Sequence, residues 1–358
     1  MEFRLIERLR DRTACPRNDV ALGIGDDAAV LDVPAGRQLV ACTDTLVAGV
    51  HFLAEAAPGY IGWKSLAVNL SDLAAMGAEP AWVLLALTLP NADPRFVERF
   101  ADGFAELART HSVALIGGDT TQGPLSVTVT ALGFVPNGRA LKRGGARVGD
   151  AVFVTGTLGD AAGALRWLQG PKQSHPPRSP FLRKGEDESH PLPQERGRRA
   201  AAGGCVASCG EGAQRDATVE LLARMNRPEP RIAAGLALRG VASACIDVSD
   251  GLLADLGHVC TASKVGAEID AEALPLSAAL SAAFDAETCR ELALSGGDDY
   301  ELCFTVPAGR EEEIVAALQQ AGCRATRIGR IVAGAGVRAL DVHGDVIATP
   351  QGWEHFSP

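Results

Sequence analysis

The chain has 358 residues, 47% of them hydrophobic, and a formal net charge of −10 from 44 acidic and 34 basic residues. That length allows two domains with substantial cores. No run of about 18 uncharged apolar residues is present to cross a membrane, and the acidic balance argues against general nucleic-acid binding.

The start, Met1-Glu2-Phe3-Arg4-Leu5, is charged and lacks the apolar stretch of a secretory signal, so a cytoplasmic enzyme is expected. Phe3 to Arg12 reads as a short helix and 38–43 as a buried strand. Over 58–76, Trp63, Leu66, Ala67, Leu70, Leu73 and Ala74 recur at helical spacing, with Gly77 as a stop. Trp82 to Leu89 reads as an apolar strand. Asp93-Pro94 opens a second helix over 94–110, with Phe96, Phe100, Phe104 and Leu107 on one face. Strands are expected at 113–116 and 125–134, and the Gly- and Arg-rich stretch 139–150 joins two domains, 1–138 and 139–358. In the second, 151–154, 244–248 and 301–306 read as strands, and 160–169, 252–262 and 311–321 as helices. This is mixed α/β twice over. Residues 171–204 carry many Pro, Arg, Ser and Gly and few large apolar side chains, which cannot repay the entropy of ordering. A disordered surface insertion over about 171–215 is therefore expected. The nine cysteines form no CxxC pair, and Cys205 and Cys209 with His175 and His190 fit no standard zinc spacing. Most are expected to be reduced.

Five stretches have a common chemical character. They are 23–27 (Gly-Ile-Gly-Asp-Asp), 43–45 (Thr-Asp-Thr), 69–72 (Asn-Leu-Ser-Asp), 117–121 (Gly-Gly-Asp-Thr-Thr) and 247–251 (Asp-Val-Ser-Asp-Gly). Each sets Asp beside Gly, Ser or Thr at the end of an apolar element or inside an apolar helix. Singly, these are ordinary turns and helix caps. Together they suit magnesium, which takes hard oxygen ligands and shares itself between a few carboxylates, waters and substrate phosphates. Asp72 stands out because it falls within an amphipathic helix, where neighbouring buried carboxylates would raise one another's pKa unless a cation compensated them. The chain has no GxxxxGK[ST] loop, no kinase catalytic-loop pattern and no GxSxG elbow. A magnesium-dependent phosphotransferase follows as the expectation.

The motifs 23–29, 43–52, 68–78, 115–125, 246–252, 295–302 and 352–356 closely resemble the thiamine-monophosphate kinase family of the aminoimidazole ribonucleotide synthetase-like superfamily. The resemblance spans the chain except for about 171–215. It implies an α/β (α+β), two-domain fold whose N-terminal domain builds a barrel-like dimer core, a homodimer free of nucleic acid and membrane. It further implies ATP-dependent phosphorylation of thiamine phosphate to thiamine diphosphate, with several Mg2+ ions. Position by position, Asp27, Thr43, Asp44, Asp72, Asp119, Asp247 and Asp250 would be metal ligands. Gly118, Asp119, Arg143 and Ser249 would contact ATP, and His51, Asp298 and Trp353 would contact thiamine phosphate. Asp119, Asp72 and Arg143 would carry the catalysis. The family usually has Glu at 298 and often a hydroxyl residue at the position of Cys42. A sister ATP-dependent enzyme acting on another small acceptor, or a non-catalytic nucleotide-binding regulator, are the competing expectations.

Overall fold

A computed structural model of the chain describes residues 2–170 and 209–347. Residues 171–208, most of the insertion expected over about 171–215, and the whole of 348–358, including Trp353, lie outside the described residues. The N-terminal half runs α1 (Glu2–Thr13), β1 (Val20–Leu22), β2 (Val30–Leu31), β3 (Arg37–Val47), α2 (Pro58–Ala75), β4 (Glu79–Leu89), α3 (Pro94–Thr110), β5 (Ala114–Gln122) and β6 (Ser126–Pro136). Strands β3 to β6 form an open four-stranded sheet in the order β3-β6-β4-β5, in which only the β4–β5 pair is parallel. The strands are longer than their apolar runs suggest. Thr43-Asp44-Thr45 and Gly117-Gly118-Asp119-Thr120-Thr121, expected at the ends of elements, lie inside β3 and β5. Threonine favours extended backbone, and hydrogen bonding to β6 and β4 carries each strand through its polar motif.

Helix α2 starts with Pro58 at its first turn and ends in a Schellman motif. Gly77 takes φ +63, its N–H reaches the Ala74 carbonyl, and the Ala78 N–H reaches that of Leu73. The helix is buried on nearly every side, Lys64, Ser65, Asn69 and Ser71 included. Helix α3 begins with Asp93 accepting from the Arg95 N–H and buries Val97, Phe100, Ala101, Phe104 and Leu107. The two helices cross closely at glycines: a Cβ on Gly62 would run into the Phe100 carbonyl, and one on Gly103 into that of Gly59. Gly103→Ala is expected to force the crossing apart at a cost of about 1–3 kcal/mol, seen as a lower Tm by circular dichroism.

The C-terminal half contains β7 (Ala151–Thr155), α4 (Asp160–Gln169), α5 (Cys209–Asn226), α6 (Ile232–Leu238), β8 (Ala244–Asp247), α7 (Leu252–Ser263), β9 (Gly266–Asp270), α8 (Ala278–Ala283), α9 (Ala286–Ser295), β10 (Leu302–Val306), α10 (Glu311–Gln320), β11 (Ala325–Val332) and β12 (Gly336–Leu340). Helix α5 thus begins within the last residues of the stretch read as an insertion. The six strands form one mixed sheet, β12-β9-β11-β7-β10-β8. Both faces of its centre are covered, so β7 and β10 are buried throughout. Phe153 and Phe304 stack and join the hydrophobic core of α2 and α3, while Val152, Val154 and Ile246 pack on the opposite face. One core therefore continues from the first half into the second, and α2 touches both α6 and β8.

Candidate active site

Three carboxylate-bearing segments meet along α2. In β3, alternation turns Asp44 to the opposite face from its exposed neighbours Thr43 and Thr45. Asp72 lies in the last turn of α2, and Asp247 ends β8 with 5% of its surface exposed. The Ser71 hydroxyl donates to Asp247 Oδ2 at 2.7 Å, tying helix to strand. Burial pushes the Asp72 carboxyl well above the usual range, and the charges of Asp247 and Asp44 add to the shift. Asp247 is raised by burial too, with Asp44 adding. Asp44 is raised by burial and by Asp250. Arg143, in the exposed joining stretch, acts against the rise at both Asp72 and Asp247. Asp44, Asp72, Asp247, Asp250 and Arg143 therefore share one electrostatic neighbourhood.

Behind Asp247, the turn 248–251 wraps around a carboxylate that belongs to none of the sequence motifs. Asp255 Oδ2 accepts from the backbone N–H groups of Ser249 (3.0 Å), Asp250 (3.0 Å) and Gly251 (3.2 Å). Burial, with the nearby Asp247 charge, pushes Asp255 up to about 7. The segment 298–300 lies against this turn, because the Asp298 N–H donates to the Ser249 carbonyl and the Tyr300 N–H to that of Val248, both at 2.8 Å. Asp298 and Tyr300 hold positive φ, +68 and +51. Asp tolerates that backbone better than most side chains because it can bond locally, a physical reason for Asp at 298. Its Oδ1 accepts from the Tyr300 hydroxyl at 2.8 Å. Across from it, His51 Nδ1 accepts from the Val47 N–H at 3.0 Å, which fixes that ring nitrogen as an acceptor.

Beneath Asp298 lies a buried ionic knot. Glu301, 0% exposed, accepts from Arg224 (2.7 Å), from Arg231 through two nitrogens (2.7 and 2.6 Å) and from the Thr155 hydroxyl (2.6 Å). Burial alone would raise the Glu301 carboxyl; its bonds to Arg231 and the charges of Arg231 and Arg224 outweigh that and hold it low. Asp299 accepts from the Gly159 N–H at 2.8 Å, and burial drives its carboxyl far above the usual range. Asp255 carries no local pattern that separates it from a surface acid, and Glu301, though inside the motif 295–302, shows its arginine partners only in the fold.

Other expected site residues stand apart within the single chain. Asp27 is in an exposed loop, and its N–H donates to Asp26 Oδ1. Thr43 Oγ1 spends its bonds on the Val129 carbonyl (3.1 Å) and the Thr130 hydroxyl (3.0 Å). Asp119 is exposed on β5, in register with Ala86, Thr128 and Thr45, hence on the face opposite Asp44 and at the far edge of the sheet. Three strand spacings, roughly 14 Å, separate those edges. Gly118 has φ +150, and a Cβ there would enter the Leu85 carbonyl. The Cys42 thiol lies 3.4 Å from the Asn69 carbonyl, and burial with the Asp72 and Asp44 charges pushes its pKa far up, keeping it neutral.

A neighbourhood of mutually repelling carboxylates binds a hard divalent cation through oxygen, not a soft one through sulfur or imidazole. Among the described residues no three His, Cys, Asp or Glu side chains form a cage by themselves. A cation held here would complete its shell with water and ligand oxygens, as magnesium does with phosphates.

Known proteins resemble the chain over nearly its whole length. The family models for the AIR synthase related protein, N-terminal and C-terminal domains, match residues 25–135 and 147–342. Thiamine-monophosphate kinase of Escherichia coli (strain K12) is 44% identical over 357 residues, covering 99% of this chain and 98% of the relative. The crystal structure of thiamine-monophosphate kinase from Stenotrophomonas maltophilia K279a is 47% identical with a TM-score of 0.78, covering 96% of each chain. AaThiL complexed with AMPPCP and TMP is 32% identical with a TM-score of 0.70, covering 99% of this chain and 97% of that one.

Proposed function

Because the chain belongs to the thiamine-monophosphate kinase family of AIR synthase related proteins, we propose that it transfers the γ-phosphoryl group of ATP to thiamine phosphate, giving thiamine diphosphate and ADP. The observation that carries this reading is the shared neighbourhood of Asp44, Asp72, Asp247, Asp250 and Arg143, drawn from both halves of the chain. A phosphate monoester has its second pKa near 6 and is largely ionised at neutral pH. Its oxygen needs no general base. In the transfer, that oxygen bonds to the γ-phosphorus as the bond to the β,γ-bridging oxygen breaks, and ADP leaves with the electron pair.

What the chain must supply is in-line placement and cancellation of charge between two phosphates. Asp44, Asp72, Asp247 and Asp250, with Asp27, Thr43 and Asp119, would hold the magnesium, and the raised proton affinity of Asp44, Asp72 and Asp247 fits a cation. Bound magnesium supplies the positive charge that lets the two anions approach. Gly118 and Ser249 would contact ATP, Arg143 would pair with its phosphates, and His51, Asp298 and Trp353 would hold the acceptor.

A homodimer is part of the proposal. Asp119 and Asp44 sit on opposite faces and edges of the open four-stranded sheet. The open face also exposes Leu39 and Leu84. A second copy closing the sheet into a barrel would cover that face and set its own β5 edge beside β3. The domain division is taken at 138/139, and the site of action as the cytoplasm.

The test is an ADP-release assay with thiamine phosphate, unphosphorylated thiamine and aminoimidazole precursors as acceptors. Magnesium-dependent turnover with thiamine phosphate alone is expected. Turnover only with an aminoimidazole precursor would move the chain to a sister reaction, and none with any acceptor would favour a non-catalytic regulator.

A further inference from the structure

Lysine is almost never fully buried without a partner, yet Lys64 of α2 is 4% exposed. Its ammonium donates to the His51 carbonyl at 3.1 Å and to Asp298 Oδ2 at 2.8 Å. These acceptors come from distant parts of the chain, the loop after β3 and the segment before β10. An ammonium is a compact charge with three donors and no fixed plane, so it can join two acceptors at unrelated angles where a guanidinium would impose its fork. Each acceptor is also held from its own side: Tyr300 donates to the other Asp298 oxygen, and the Val47 N–H to the His51 ring. Lys64 ties these two sub-assemblies together.

We propose that Lys64 is a positioning residue for the acceptor half of the site, setting the separation between the His51 loop and the Asp298 carboxylate and thereby the affinity for the acceptor. This rests on the reading that His51 and Asp298 contact thiamine phosphate. Lys64 belongs to neither the carboxylate neighbourhood nor the ATP contacts, so its effect falls on one substrate. A group that served only the fold would change the active fraction or Tm and leave both KM values alone.

The experiment compares wild type, Lys64→Met and Lys64→Arg by steady-state kinetics, varying thiamine phosphate and ATP separately, with Tm recorded for each. Lys64→Met is expected to raise the KM for thiamine phosphate about tenfold or more while the KM for ATP stays within about twofold, and Lys64→Arg, which keeps the charge but not the shape, to fall between. An unchanged acceptor KM overturns the proposal. So does a lowered one, which would mean that a released Asp298 attracts the cationic ring better than a fixed one. If Lys64→Met does not fold, Lys64→Met with Asp298→Asn removes both charges together. Its acceptor KM should exceed that of Asp298→Asn alone by less than about tenfold, because only the contact to the His51 carbonyl is left to lose; a further loss of about tenfold or more would overturn the proposal. Absence of wild-type turnover with thiamine phosphate would instead sink the reaction assignment, and this proposal with it.

Discussion

Asp72→Asn is expected to lower kcat at least about 10²–10³-fold, the range for loss of one preorganised electrostatic group, while making the metal-free protein more stable at neutral pH. Both halves of that result come from one fact. Burial and the charges of Asp247 and Asp44 raise the Asp72 pKa in the folded chain. In the unfolded chain the carboxyl ionises near 3.9. Between that pH and neutrality the folded state binds more protons than the unfolded one, so stability falls as pH rises through the window. Asparagine has no charge to bury and removes that penalty. Partial exposure screens the effect, leaving on the order of 1 kcal/mol, or about 2–4 °C in Tm. Magnesium binds the ionised form, so its stabilising effect on wild type should grow over the same pH window. Thermal melts at pH 5 and pH 8, with and without Mg2+, together with ADP release, read all of this. Near-normal turnover in the mutant at limiting Mg2+, or a lower metal-free Tm at pH 8, contradicts the account.

Glu301→Ala is expected to be among the most destabilising single changes in the chain, at about 3–5 kcal/mol. It leaves Arg224 and Arg231 charged, largely buried and without the carboxylate on which both converge. The same change frees the Thr155 hydroxyl, which also accepts from the Leu302 N–H, and so loosens the start of β10 directly behind Asp298. Denaturant titration should show a lower midpoint with an unchanged slope. A midpoint within experimental error of wild type would mean that the two arginines find other partners.

The sequence reveals some of this and hides the rest for identifiable reasons. Helices α2 and α3 are legible to within a residue or two, because Pro58, Pro94, Asp93 and Gly77 mark their ends. Asp72 is legible as an anomaly, a carboxylate within an apolar stripe. Strands β9, β11 and β12 are hidden because each carries a glycine, Gly266, Gly329 or Gly336, a residue that signals a turn, while the pairing of Arg330 and Arg338 with Glu268 shows only across the sheet. The extension of β5 through Gly117-Gly118-Asp119 is hidden because glycine signals a turn, and only Leu85 packed against Gly118 shows why a strand needs it there. Lys64 is invisible for the opposite reason: a lone lysine on a helix is usually solvated, and its partners lie 13 and 234 positions away. Local pattern thus announces the groups proposed to meet phosphate, whereas the groups that hold them in place depend on contacts far apart in the chain.

If the aspartates hold magnesium as proposed, the enzyme needs metal beyond the ion that travels with ATP. Thiamine diphosphate formation is followed while Mg2+ is raised at fixed ATP and thiamine phosphate. The rate is expected to keep rising after all ATP is complexed, with a sigmoid dependence on free Mg2+. A rate already maximal at one Mg2+ per ATP, and flat beyond it, would contradict the proposal.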